Sequence, residues 1–151
     1  MELNRASGVI LHPTSLPSPD GIGDLGPDAY RWTDFLSRSG CQLWQVLPLG
    51  PTGYADSPYQ CFSAFAGNPL MIDLAELPGL PPELEDQGDA RPGPTEIDYG
   101  TLIPKKFDAL GTAADRFLST ADAAVRSRFE EFRTQQAYWL EDFALFIALK
   151  G

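Results

Sequence analysis

Apolar residues along this chain form two kinds of run. Short unbroken ones stand near the start. Gly8-Val9-Ile10-Leu11 precedes Pro13, and Leu43-Trp44-Gln45-Val46-Leu47 precedes Pro48. Each run is closed by a proline, and each predicts a buried strand, the second over 42–47. Between them the spacing changes. Tyr30, Trp32, Phe35 and Leu36 recur at near-helical intervals behind Pro27 and Asp28. Proline suits the first helical turn, and an acid suits the positive helix end. Gly40 marks the stop. The order is strand, long Pro/Gly-rich loop (13–23), helix, tight turn, strand. That order predicts a βαβ unit with a parallel sheet.

Further on the pattern thins. Asn68-Pro69 breaks the chain, and Leu70-Met71-Ile72 predicts a short third strand. Residues 76–98 hold seven acids, one arginine and five prolines, the composition of an exposed irregular insertion. Helical patterning resumes near Tyr99 and from Ala113 runs almost to the end, with Phe117, Leu118, Val125, Phe129 and Phe132 on its apolar side. Residues 138–149 are apolar nearly all round, and such a helix belongs inside a large protein. Two strands cannot cover their own faces or close a barrel. These readings predict a piece of a longer protein. The alternative is a small α+β domain with its last helix at the centre. Three segments are expected: the first βαβ units of a barrel (1–75), the acidic insertion (76–98) and a helical subdomain (99–151).

Composition narrows the function. The chain has 151 residues, 43% hydrophobic and 21% charged, the values of an ordinary soluble domain with room for a core. A net charge of −10 argues against a nucleic-acid partner, which calls for a basic patch. No signal peptide or membrane span is predicted. Cys41 and Cys61 read as free thiols of a cytoplasmic protein, with a disulfide between them as the alternative. His12 is the single histidine and has no cysteine cluster beside it, so no zinc site is expected. Gly21-Ile22-Gly23-Asp24-Leu25-Gly26 matches the spelling of a dinucleotide loop. It lies some ten residues beyond its strand and lacks the tight turn that such a loop needs, so no cofactor is expected.

The segment 48–60, Pro-Leu-Gly-Pro-Thr-Gly-Tyr-Ala-Asp-Ser-Pro-Tyr-Gln, follows the second strand directly. Loops at the C-terminal ends of parallel strands are where such folds place their sites. Rigid turns, two aromatic faces and a few hydroxyls suit a sugar: its CH faces stack on rings, and its hydroxyls need donors and acceptors. A purely structural loop with core tyrosines is the competing reading. Hydrolysis of a glycoside needs two carboxylates across the scissile bond. Asp20, Asp24, Asp56 and Asp73 lie nearest the strand ends, but none has an evident partner. Asp56 reads as a turn-capping residue. No catalytic residue is assigned within the chain.

The residues then carry a resemblance. Gly8 to Pro17, Gly21 to Gly26, Trp44 to Tyr54, Asp56 to Gln60, Ser63 to Pro69 and Ile72 to Leu74 resemble the opening of the 4-α-glucanotransferases, the amylomaltases or disproportionating enzymes. Asp98-Tyr99-Gly100 and Trp139 to Phe146 are weaker echoes. The resemblance implies an α-amylase-type (β/α)₈ barrel with an inserted, mostly helical subdomain. It implies cleavage of α-1,4-glucans, a covalent glycosyl intermediate, and transfer to the 4-hydroxyl of a maltooligosaccharide or glucose acceptor. The family's catalytic Asp, Glu and Asp match no position here, so this chain alone is expected to be inactive. By the same resemblance Tyr59 is the aromatic platform at the cleavage point. Ser57 and Gln60 bond sugar hydroxyls, Asp56 is counted with them among the substrate-binding residues, and Tyr54 belongs to an additional glucan site. Ile103 stands where members with that site carry a second tyrosine. His12 and Asp73 match family positions and read as structural. The rivals are a hydrolase of the same clan and a non-catalytic glucan-binding module.

Overall fold

The computed structural model describes residues 5–77 and 96–150. Two strands, β1 (Gly8–Ile10) and β2 (Leu43–Gln45), pair in parallel, with Gly8 opposite Leu43, Val9 opposite Trp44 and Ile10 opposite Gln45. Helix α1 (Pro27–Arg38) makes the crossover. This is the βαβ unit the pattern predicts. Pro27 opens α1 with Asp28 in its first turn, and Asp28 pairs with Arg31 at 2.6 Å. The helix ends in paired Schellman bonds: Cys41 N–H reaches the Leu36 carbonyl at 3.0 Å, and Gly40 N–H reaches Ser37 at 3.1 Å. Gly40 takes φ +72° to turn the chain there, a conformation that costs a side-chain-bearing residue about 1–2 kcal/mol.

Tryptophans hold α1 to the sheet. Trp32 stacks on Phe35 at 5.6 Å and meets Trp44 edge-on at 6.5 Å. Trp44 donates its indole N–H to the Leu11 carbonyl at 2.7 Å, which extends the register beyond β1. Two expectations need correction. The strands are shorter than predicted and are not buried: Ile10 is 66% exposed and Leu43 59%. A two-stranded sheet has no second layer over its outer face, so alternate residues stay open. Residues 70–72 form no strand. Asn68 accepts the Leu70 N–H at 3.0 Å and caps a 3₁₀ turn, Pro69–Met71. A local side-chain bond and a proline at the first position outcompete extended structure there.

Three helices follow: α2 (Tyr99–Thr120), α3 (Ala123–Gln135) and α4 (Leu140–Lys150). Asp98 and Asp122 cap α2 and α3 through the N–H groups of Thr101 and Val125. The greater part of the predicted acidic insertion lies outside the described residues.

The core sits where α2 meets the loops around β1 and β2. Ile22, Leu70 and Leu102 form one cluster, with Ile97, Tyr99 and Ile103 around it. Leu74 and Ala109 form a second, flanked by Leu77, Leu110 and Ala113. α3 and α4 bury no residue fully. Leu149 of α4 is 79% exposed, as an all-round apolar helix beside so little protein must be. An aromatic seam still fixes α4: Phe62 faces Phe146 at 5.9 Å, Phe65 stacks on Trp139 at 6.3 Å, and Lys150 lies over the Phe62 ring at 3.7 Å.

Candidate functional site

The loop after β2 is anchored at both ends. Asn68 N–H donates to the Leu49 carbonyl at 2.8 Å. His12 reaches across from the end of β1. Its Nδ1 accepts from Thr14 N–H at 3.3 Å, which leaves Nε2–H to face the Pro48 carbonyl at 3.4 Å. His12 thus caps the 3₁₀ turn Pro13–Ser15 and ties the two strand ends together. Gly53 is packed so tightly on the Gln60 carbonyl that a Cβ would overlap it. The loop therefore doubles back on itself and stands as a closed unit.

Within it, Tyr54–Asp56 is a distorted 3₁₀ turn. Ala55 (φ +53°) and Asp56 (φ +55°) are both left-handed, which non-glycine residues adopt only at a cost. Ser57 N–H closes the turn on the Tyr54 carbonyl at 3.3 Å, and Ser57 Oγ accepts from Tyr59 N–H at 3.3 Å. The outcome is two bare aromatic faces: Tyr54 is 82% exposed and Tyr59 71%. Neither is a core tyrosine. Gln60 is exposed beside them, and Asp56 and Ser57 are half-buried. All five predicted binding residues lie on this one loop. Cys61 donates its thiol to the Pro58 carbonyl at 2.9 Å, and both cysteines are free.

Beneath the loop is a cavity of about 350 Å³, walled by Gly53 and Asp56 above and by Ile103, Phe107 and Phe143 below. Ile103 thus lies under the Tyr54 turn without supplying a ring. Tyr99 was not among the predicted site residues. Burial, and then the Asp56 carboxylate, push its phenol above the usual range, so it stays neutral. The signal for it was the Asp98-Tyr99-Gly100 echo, which names the residue but not the side it faces.

Each remaining candidate carboxylate accepts at least one hydrogen bond, while Asp73 Oδ2 is buried without a partner among the described residues. Asp20 accepts from Lys106 Nζ at 2.7 Å. Asp24 accepts from Ser18 Oγ at 2.8 Å and Gly26 N–H at 2.9 Å. Asp73 caps Ala75 at 2.9 Å. No group of three or more potential metal ligands exists among the described residues, and no described helix is long and apolar enough to cross a membrane.

A parallel βαβ unit with a loop at the end of its second strand is the repeating unit from which (β/α)₈ barrels are built, and such barrels place their sites on those loops. The family described as 4-alpha-glucanotransferase matches residues 11–151, and the chain belongs to that family. It is 53% identical to the 4-alpha-glucanotransferase of Thermus thermophilus over the whole of this chain and 30% of the relative. It is 47% identical to that of Synechocystis sp. over 97% of this chain and 29% of the relative. The amylomaltase of Streptococcus agalactiae, solved in complex with acarbose, superposes with a TM-score of 0.83 at 39% identity, over 97% of this chain and 30% of that one. The chain thus spans about 30% of the length of the relatives it matches.

Proposed function

We propose that the protein containing this chain is a cytoplasmic 4-α-glucanotransferase acting on maltooligosaccharides and glycogen-derived α-1,4-glucans. A carboxylate from outside this chain attacks C1 and forms a glycosyl ester, while the leaving 4-oxygen takes a proton from a carboxylic acid. The 4-hydroxyl of an acceptor glucan or glucose then attacks C1, releases the carboxylate and returns its proton to the same acid/base group. This chain supplies the surface that holds the glucan. Tyr59 stacks on the sugar at the cleavage point. Its π-face also favours the cationic transition state. Ser57 and Gln60 bond hydroxyls, and Asp56 orients the turn between the two rings. Tyr54 offers a further stacking face, without a second ring where Ile103 stands. No organic cofactor is needed. In this reading 1–75 are barrel units, 76–98 an insertion and 99–151 a helical subdomain.

The observation that carries the reading is family membership over residues 11–151, together with Tyr59 standing exposed on a closed loop at the end of β2. The test is product analysis of the natural-length protein with maltotriose donor and isotopically labelled glucose. Label entering longer glucans supports transfer. Free reducing ends without label support the hydrolase instead. Binding with neither supports a non-catalytic glucan-binding module. The 151 residues alone should show no turnover.

A further inference from the structure

Lys106 is the most deeply buried charged side chain among the described residues, with 1% of it exposed. Its ammonium sits 2.7 Å from Asp20, whose side chain is 7% exposed, and the two are 86 positions apart. Neither partner belongs to the glucan-facing loop. A buried ion pair rarely adds net stability, because desolvation offsets the attraction; what it adds is one permitted arrangement of the elements that carry it.

Those elements are informative. Asp20 lies in the loop between β1 and α1, two residues before Ile22, and Lys106 lies one helical turn beyond Leu102. Ile22 and Leu102 pack together with Leu70, so the ion pair and the apolar cluster clamp α2 to the barrel side at adjacent points. The next faces of α2 meet the glucan-facing loop. Ile103 and Phe107 wall the cavity under Gly53 and Asp56. Apolar packing alone permits small slides of a helix along its groove. A directional 2.7 Å contact does not.

We propose that Lys106 is a positioning residue for glucan binding: its buried bond to Asp20 fixes the seat of α2, and through Ile103 and Phe107 the floor on which the Tyr54–Gln60 loop rests. The inference rests on the reading of that loop as the glucan site.

The test uses the natural-length protein and maltoheptaose, with dissociation constants from titration calorimetry and melting temperatures measured side by side. Single removal of either partner strands a buried charge, so the informative variant is Asp20→Leu with Lys106→Met, which keeps the volume and removes both charges. The expected result is a melting temperature within a few degrees of the parent and maltoheptaose binding weakened about fivefold, as uniform loss of ground-state contacts would give. Tyr59→Ala is measured in parallel. If Tyr59→Ala weakens binding and the double variant does not, the positioning role is overturned and the pair is structural only. If Tyr59→Ala leaves binding intact, the loop reading itself fails, and the positioning role falls with it whatever the double variant does.

Discussion

Gly26 and Asp73 are in contact across the start of α1: a Cβ built on Gly26 would overlap Asp73 Oδ2 and stand 2.9 Å from Asp24 Oδ1. Gly26 is the N-cap of α1, and its N–H is bonded to Asp24. The site therefore excludes any side chain for a reason of space, not of backbone angle. Gly26→Ala should destabilise the protein by about 1–3 kcal/mol, the usual result of forcing a methyl into filled space. Urea unfolding would read it. A change below about 0.5 kcal/mol would mean that Asp73 swings away freely.

The same contact bears on pH. Asp24 is 4% exposed. Burial first, and then the Asp73 carboxylate, raise its pKa above the ordinary 3.8, against the Ser18 and Gly26 hydrogen bonds and the charge of Lys106. A raised carboxyl binds its proton more tightly in the folded state than in the unfolded chain. Its contribution to stability is therefore greatest below pH 3.8 and is lost as pH climbs through the raised folded value. Asp24→Asn keeps an acceptor for Gly26 and carries no charge. Its unfolding free energy should fall less than the parent's as pH rises from 3.8, and the two proteins should run parallel well above the window. Denaturant titrations at pH 3.5, 5 and 7 on both proteins check this; parallel curves throughout would show that Asp24 does not titrate there.

Much of this architecture is legible in the residues, and the rest is hidden for specific reasons. Pro27, Asp28 and Gly40 mark α1 because helix ends have fixed chemistry, and the Schellman bonds at Gly40 repeat it. The segment 70–72 misleads because three apolar residues fit a strand or a 3₁₀ turn equally well; the Asn68 side chain decides. Strand exposure cannot be read from Val9 or Trp44, since burial depends on what stands over the sheet. On the candidate site, spacing places Tyr54, Asp56, Ser57, Tyr59 and Gln60 on one loop because they are neighbours in sequence. It cannot show that Ile103 and Phe107 of α2 wall the cavity under that loop. Nor can it show that Lys106, beside Lys105 in an ordinary basic pair, is buried against a residue 86 positions away. Contacts of that range leave no local pattern.

Ala55 holds a left-handed turn at φ +53°, next to Asp56 at +55°. For alanine that conformation costs about 1–2 kcal/mol, whereas glycine adopts it freely. Glycine also enlarges the freedom of the unfolded chain, which takes back about 0.4–1 kcal/mol. Ala55→Gly should therefore raise stability by up to about 1.5 kcal/mol, and glucan affinity should hold or fall slightly as the turn gains freedom. Ala55→Pro cannot reach a positive φ and should open the loop. Chemical denaturation of the two variants separates the effects. A loss of stability in Ala55→Gly would mean that the strain at this turn is small.

Tyr59 offers the most direct test of the loop. Its ring is 71% exposed, and its backbone N–H is held by Ser57 Oγ at 3.3 Å, so truncating the side chain beyond Cβ leaves that bond in place. The phenol hydroxyl has no role in stacking, and the ring has all of it. Tyr59→Phe should bind maltoheptaose within about threefold of the parent, and Tyr59→Ala should weaken binding by about tenfold or more, on the scale of an aromatic contact together with its buried area. Melting temperature should move little in either variant, since an exposed ring contributes little packing. The order of the two variants separates the mechanisms. If Tyr59→Phe lost as much affinity as Tyr59→Ala, the hydroxyl would be making a directional bond, and the residue would recognise one sugar hydroxyl instead of a sugar face.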